Sequence, residues 1–447
     1  SSLAGISPRL SGLLDRLDRL LDQLWWSVDF AWTDALLVRP WRGRVAAEDA
    51  DCLIEAIDAC LNAAVSGRPL PAESIGTQLH LDELFSCLSD IAEQTAVFNP
   101  PPPSRSASNQ YRRLRPKKRH EAERLLAYIG ESGLAGGSGD SSSSSSSLIL
   151  LDVGAGVGRF GRLLSSQFPD TRTLLIDRDA RLLASSDADA TLCLELRPGR
   201  DCRLAVESAL DRLSAGMDNS SPVLALGQHA CGSLSNTLVD LFASSQRLRS
   251  LICLPCCYHK SAHSAPVSAA LSRLPGLARL FASVPARRLA CQERLETLLL
   301  LPLGATGRTR LQARIDATLR RAALQLAARP DADRLLRRIR PPAADGDFAA
   351  YLAALDEAAG RHDNGDVDWP TIRGRLLTVW ETETRTGDLR LAELVYRLQT
   401  LLRPVLEFVL LVDFQLYLRE RGVAAELLQL FSPELSPRCL AIVAKKS

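Results

Sequence analysis

The chain has 447 residues, with 54 Lys and Arg against 52 Asp and Glu, for a formal net charge of +2. That length allows two or three domains with a sizeable core, and the charge balance provides no global field for nucleic acid. Eleven cysteines, an odd number without regular spacing, argue against a secreted disulfide scaffold and for a reducing, intracellular setting. The longest apolar run, residues 405–418, is interrupted by Glu407 and Asp413, so no membrane span is expected.

Residues 10–32 carry leucines at helical spacing with Asp and Arg on the other face, which predicts an amphipathic helix. Similar patterns cover residues 47–64 and 79–95, and the run Asn99 to Pro103 ends them. A helical N-terminal region over residues 1–104 is therefore expected. A basic run of Arg112, Arg113, Arg115, Lys117, Lys118 and Arg119 opens a helix over 116–129, and the Ser-rich stretch 136–147 is expected to be a flexible loop.

The pattern then changes. Apolar runs at 148–153, 173–177, 190–196, 223–228 and 249–254 alternate with helical segments, which predicts an α/β domain built on a parallel sheet. Residues 263–399 read as a helical insertion, with Trp369 and Trp380 expected in its core. A helix over 403–421 ends at Gly422, and the tail offers two strands, 426–431 and 440–444, as a hairpin adding an antiparallel edge. The sheet domain is thus expected to comprise residues 109–262 with 400–447.

The stretch Asp152-Val-Gly154-Ala155-Gly156-Val-Gly158 leaves a strand and opens a helix. Alternate glycines let the backbone turn sharply and approach a ligand at a helix start. Asp177, ending the next strand, can accept both hydroxyls of a ribose, and Asp152 suits a ligand with an amino group rather than a pyrophosphate. The combination looks like the S-adenosylmethionine site of class I methyltransferases, with Asp152, Gly154, Ala155, Gly156, Gly158 and Asp177 as cofactor contacts. A dinucleotide site is the alternative, because Gly156, Gly158 and Gly161 also satisfy G-x-G-x-x-G.

Two clusters follow later strands: Gly227-Gln-His229-Ala-Cys231-Gly232-Ser233 and Pro255-Cys256-Cys257-Tyr258-His259-Lys260. At the carboxyl edge of adjacent strands they face the same ligand. His229 or His259 is a candidate general base, Tyr258 a candidate for orienting a substrate, and Cys231, Cys256 and Cys257 candidates for the catalytic lining. Packing is the alternative for these cysteines. No metal site is expected, because the spacing lacks a C-x-x-C pair. The loop lacks the Asn/Asp-Pro-Pro-aromatic pattern that offers acceptors to an exocyclic amine.

Taken together, DVGAGVG, GQHACGSL, LPCCYHK, RPKKRHE (residues 115–121), LACQE (residues 289–293) and the tail LFSPELSPRCLAIVAKK resemble the methyltransferase-like twenty-five family, some members of which are labelled ribosomal RNA adenine dimethylase domain-containing. The resemblance runs from about residue 111 to the C-terminus. The H-x-C-G and C-C-Y pieces are also similar to those of tRNA 2′-O-methyltransferases of the thirteen type. It implies a Rossmann-like class I methyltransferase sheet, S-adenosylmethionine as cofactor, and His229, Cys231, Gly232, Cys256, Cys257 and Tyr258 lining the site. Val157 and Arg159 stand where the family usually has Lys and His, and Ser233 where it usually has Asp. A methyltransferase acting on RNA or protein is the expected function, with a catalytically silent cofactor-binding scaffold as the alternative. The basic run 112–119 is the candidate RNA contact, a solvated helix start being its alternative.

Overall fold

The computed structural model describes residues 6–69, 79–100, 114–134, 147–215, 221–299, 309–332, 335, 347–361 and 368–446. The Ser-rich stretch 136–146, most of the proline run, and Arg112 and Arg113 lie outside the described residues. Among the described residues no helix is long and apolar enough to cross a membrane.

One mixed sheet contains eight strands: β1 (Ala96–Val97), β2 (Ile149–Val153), β3 (Arg172–Asp177), β4 (Ala190–Cys193), β5 (Val223–Cys231), β6 (Ser250–Cys256), β7 (Ala424–Gln429) and β8 (Leu440–Lys445). Their order is β1-β7-β8-β6-β5-β2-β3-β4. All neighbouring pairs are parallel except the two made by β8. The architecture is α/β and Rossmann-like. From β2 the chain steps outward through β3 to β4, then returns to the other side of β2 for β5 and β6. The order therefore reverses between β2 and β5, and ligands of such sheets bind at that switch point, beyond the carboxyl ends of the strands.

Burial follows position in the sheet. β2 and β6 are buried along their whole length, as central parallel strands covered on both faces must be, whereas β4 alternates between half-buried and exposed. The helix Pro116–Glu131 starts with proline in its first turn, where a missing N–H costs nothing. It buries Ala122, Leu125, Leu126 and Ile129, a stripe at helical spacing, in one core with Leu150, Leu224, Ile252 and Phe431.

Several elements depart from expectation. The tail hairpin joins the parallel strands at β6 as expected, β8 lying antiparallel to both β6 and β7, but β7 is not the outermost strand. The edge is β1, two residues that pair with β7 and that no sequence pattern marked. β5 continues past Gln228 to Cys231, with a register shift between Gly227 and Ala230, and β6 continues to Cys256. His229, Cys231 and Cys256 are consequently strand residues rather than loop residues. The first helix ends at Leu24 and gives way to a 3₁₀ turn, Trp25–Ser27. The long C-terminal helix, Asp388–Arg419, starts well before residue 403 and runs through Pro404.

The chain forms two compact units, one of Ser1–Asp18, Asp90–Gln292 and Leu406–Ser447, the other of Arg19–Ser89 and Glu293–Val405. The boundaries expected at 104 and 262 do not coincide with this division. The first unit holds the whole sheet. The second is helical: fully buried Trp41 donates its indole N–H to Asp388 (2.7 Å), and Arg397 joins Asp58 (2.5 Å) and Glu393 (2.8 Å). Trp369 is buried there, while Trp380 is half-buried and stacks on Phe348.

Candidate functional site

At the end of β2 the backbone turns through Gly154, Gly156 and Gly158, all with positive φ, before the helix Arg159–Gln167 begins. The N–H groups of Gly154 and Ala155 bond to the carbonyl of Ile176 in β3 (2.8 and 3.3 Å). Asp177 fixes the rest: Oδ2 accepts the N–H of Gly156 (2.9 Å) and Oδ1 that of Asp179 (3.0 Å). A Cβ placed on Gly156, at φ +58°, would meet nothing within 4 Å, so the loop leaves open space at its centre.

Asp152 lies in β2 just ahead of this loop, buried, and among the described residues its carboxyl takes no hydrogen bond and has no cation beside it. Burial, with the negative charge of Asp177 adding to it, pushes its pKa up to about 7. Leu234 closes the other wall of the loop, its Cδ2 only 3.2 Å from where a Cβ on Gly154 would stand. The glycine loop and the segment after β5 therefore share one site.

Near the end of β5, just before that segment, His229 is partly exposed, and its Nε2 is 3.3 Å from Oε2 of Glu121, which is fully buried. Glu121 Oε1 accepts the hydroxyl of Ser436 (2.8 Å), and Lys118 approaches Oε2 (3.2 Å). Burial acts to raise the Glu121 pKa, but the His229 and Ser436 hydrogen bonds and Lys118 outweigh it and hold it down at about 2. Glu121 is thus an obligate acceptor at neutral pH, so the hydrogen of the pair belongs to Nε2 of His229. In the neutral ring Nδ1 then carries the free lone pair, and among the described residues no group bonds to it. A carboxylate that fixes the tautomer of a histidine is the orienting partner that general bases use.

The loops after β5 and β6 meet closely. Gly232 donates its N–H to Cys256 O (2.9 Å), and with φ +58° a Cβ there would lie 2.9 Å from the carbonyl oxygen of Lys260. Only glycine fits such an approach. Cys231 and Cys256 are register partners on β5 and β6, with their Sγ atoms 2.7 Å apart. The Cys256 hydrogen bond, against the effect of burial, and the nearby Cys257, His229 and Lys260 bring the Cys231 thiol down to about 6. The Cys256 and Cys257 thiols are pushed up, the first mainly by its bond to Cys231 and the second by burial.

Tyr258 is placed differently from the expected role in substrate contact. It is buried, and its hydroxyl donates to Glu407 Oε1 (3.1 Å), which also receives Arg438 Nη1 (2.6 Å). His259 has its Nδ1 buried without a hydrogen bond, and burial followed by the charges of Arg288, Lys260 and Arg287 lowers its pKa. Ser233 accepts the N–H of Ala262 (2.8 Å), so the residue standing in place of an acid ties the two loops together.

Sequence reasoning missed Glu121, although it closes the RPKKRHE segment that carries part of the family resemblance. Those segments converge in space. His120 Nε2 accepts the N–H of Ser432 (2.8 Å), Glu121 takes Ser436, and Arg438 reaches the carbonyls of Ala290 and Gln292 (2.8 and 2.7 Å). Cys291 accepts the N–H of Tyr258 (3.2 Å), and buried Arg287 donates to the carbonyls of Tyr258, Ser261 and His263. The tail and residues 287–292 thus brace the loop after β6.

Residues 117–264 match the protein family described as a methyltransferase domain. The match spans Glu121, the glycine loop, Asp177, His229 and both loops, and it supports a class I methyltransferase with methyltransferase activity. No solved structure matches the chain.

Proposed function

We propose that the chain is an S-adenosylmethionine-dependent methyltransferase of the methyltransferase-like twenty-five family. The observation that carries this is Asp152: a buried carboxyl without a hydrogen bond or a cation, at the switch point of the sheet and facing a second carboxylate, Asp177. A cationic ligand removes the cost of burying that charge. A pyrophosphate, the anionic alternative, would meet two carboxylates. The open space at Gly156 fits the same ligand, which would take Asp152 at its amino group and Asp177 at its ribose.

S-adenosylmethionine, when bound, supplies a methyl group activated by a sulfonium. The chain's own residues do the rest. Asp152 and Asp177 bind and orient, the loops after β5 and β6 form the acceptor side, and Nδ1 of His229 takes the proton that the acceptor loses. Glu121 holds that imidazole in place and stabilises it once protonated. The acceptor is accordingly a nucleophile bearing an N–H or O–H, on RNA or protein. Two of the basic residues preceding this site, Lys117 and Lys118, flank Glu121 (3.7 and 3.2 Å) and remain half-exposed, which leaves room for a phosphate contact.

The test is calorimetric titration of S-adenosylmethionine, S-adenosylhomocysteine and NADH into wild type and Asp152→Asn. Binding of the first two, weakened at least tenfold in the variant, supports the proposal, and labelled methyl donor with RNA and protein fractions then finds the acceptor. Binding of NADH alone would overturn it. Binding without transfer to any fraction would leave a cofactor-binding scaffold.

A further inference from the structure

β5 and β6 place Cys231 and Cys256 side by side in register, with their sulfurs 2.7 Å apart. Cys257 follows directly after β6, and a strand continued through it would turn its side chain to the face opposite Cys256. The strand does not continue. Cys257 adopts φ +52°, a left-handed conformation unfavourable for a residue with a Cβ, and its Sγ lies with the other two inside a group whose ligand atoms are all within 4.8 Å of one another. Three thiols are thus gathered from the ends of β5 and β6 and from the strained first residue after β6.

We propose that Cys231, Cys256 and Cys257 bind one thiophilic cation, of which zinc is the type, through three thiolates. Zinc–sulfur bonds of about 2.3 Å in tetrahedral geometry hold sulfurs about 3.8 Å apart, which lies within the 4.8 Å span of the group and asks the Cys231–Cys256 pair to open by about 1 Å. Coordination releases the thiol protons to solvent and leaves three thiolates on the metal. Among the described residues no fourth His, Cys, Asp or Glu ligand atom joins the group. With Cys231 exposed, the fourth position is open, the arrangement of sites that keep an exchangeable ligand. The site arises without a C-x-x-C pair because strand register supplies the spacing. It goes beyond the proposed methyl transfer and does not depend on it, since its readouts involve no S-adenosylmethionine.

The experiment uses the full chain, reduced and stripped of metal. Zinc is added, the protein is desalted, and retained metal is counted; cobalt(II) serves as a second probe, whose thiolate charge-transfer intensity counts the sulfurs. Alkylation of the same wild-type protein with and without zinc, mapped by mass spectrometry, shows which thiols are covered and requires no variant to fold. One equivalent retained, a three-thiolate cobalt spectrum, and protection of Cys231, Cys256 and Cys257 while exposed Cys193 stays reactive are the expected results. The Cys231→Ser, Cys256→Ser and Cys257→Ser triple variant should lose the metal. Reduced protein that retains no zinc, protection at other cysteines, full retention in the triple variant, or closure of a Cys231–Cys256 disulfide under conditions where zinc does not bind would each overturn the proposal.

Discussion

Glu121 Oε2 lies 3.3 Å from His229 Nε2, joining the helix Pro116–Glu131 to the end of β5 across 108 positions of sequence. The pair fixes which ring nitrogen carries the hydrogen in the neutral ring.

Glu121→Gln should therefore affect turnover and stability in separable ways. The Glu121 pKa is depressed to about 2 from an ordinary value of 4.5. A depressed carboxyl stabilises the fold above its unfolded pKa, and that stability is lost as pH falls from 4.5 towards 2. The loss amounts to about 3 kcal/mol at most. Urea unfolding of wild type should show this slope, and Glu121→Gln should lack it. In the variant, turnover should fall while cofactor affinity stays within about twofold, because only the orientation of His229 has changed.

Asp152 titrates in the opposite sense. Its pKa is raised to about 7, so the stability it contributes is fully present below the ordinary carboxyl range and is lost as pH rises through 7. A cationic ligand selects the ionised form. Affinity for S-adenosylhomocysteine should thus rise by up to about tenfold per unit between about pH 5 and 7. Asp152→Asn should bind weakly at every pH, with a flat profile, and should unfold less readily than wild type at pH 8. Calorimetry and thermal melts across that range check both.

Tyr258→Phe separates a catalytic tyrosine from a bracing one. Its hydroxyl donates to Glu407, which keeps Arg438 when the hydroxyl is gone. The expected cost is about 1 kcal/mol of stability, with cofactor binding unchanged and turnover within about twofold. A loss of a hundredfold in turnover at unchanged stability would return Tyr258 to the reaction.

Two glycine substitutions should behave differently. Gly156→Ala meets open space, so its cost is about 1–2 kcal/mol for the left-handed backbone, together with a marked loss of cofactor affinity as the methyl group enters the cradle. Gly232→Ala drives a Cβ to 2.9 Å from the Lys260 carbonyl. That contact is with backbone and cannot be relieved by a rotamer, so the loops must part and the melting temperature should fall further than for Gly156→Ala.

The central strands were legible because a buried parallel strand must be apolar on both faces, and Leu148 to Val153 is such a run. The glycine loop was legible because three alternate glycines after an apolar run permit the sharp turn of positive φ that links β2 to the following helix. The true extents of β5 and β6 were not. His229, Cys231 and Cys256 look like loop residues by composition, yet the ladder between the two strands carries them into the sheet. β1 was invisible for a related reason: two residues have no periodicity, and only pairing with β7 makes them a strand.

The sequence by itself determined the alternation of strands and helices, the glycine loop and the place of Asp152 and Asp177 beside it, all of which depend on short-range patterns of apolarity and backbone freedom. Tertiary structure alone decided which groups Glu121, Tyr258 and the three cysteines lie against. Hydrogen-bond partners 108 and 149 residues apart leave no trace in local periodicity, and three thiols converge only when two strands are in register and one residue takes a strained turn. Burial pushes both Asp152 and Glu121 up, but His229, Ser436 and Lys118 hold Glu121 down while Asp152 has only another carboxylate near it, a difference that residue type cannot express.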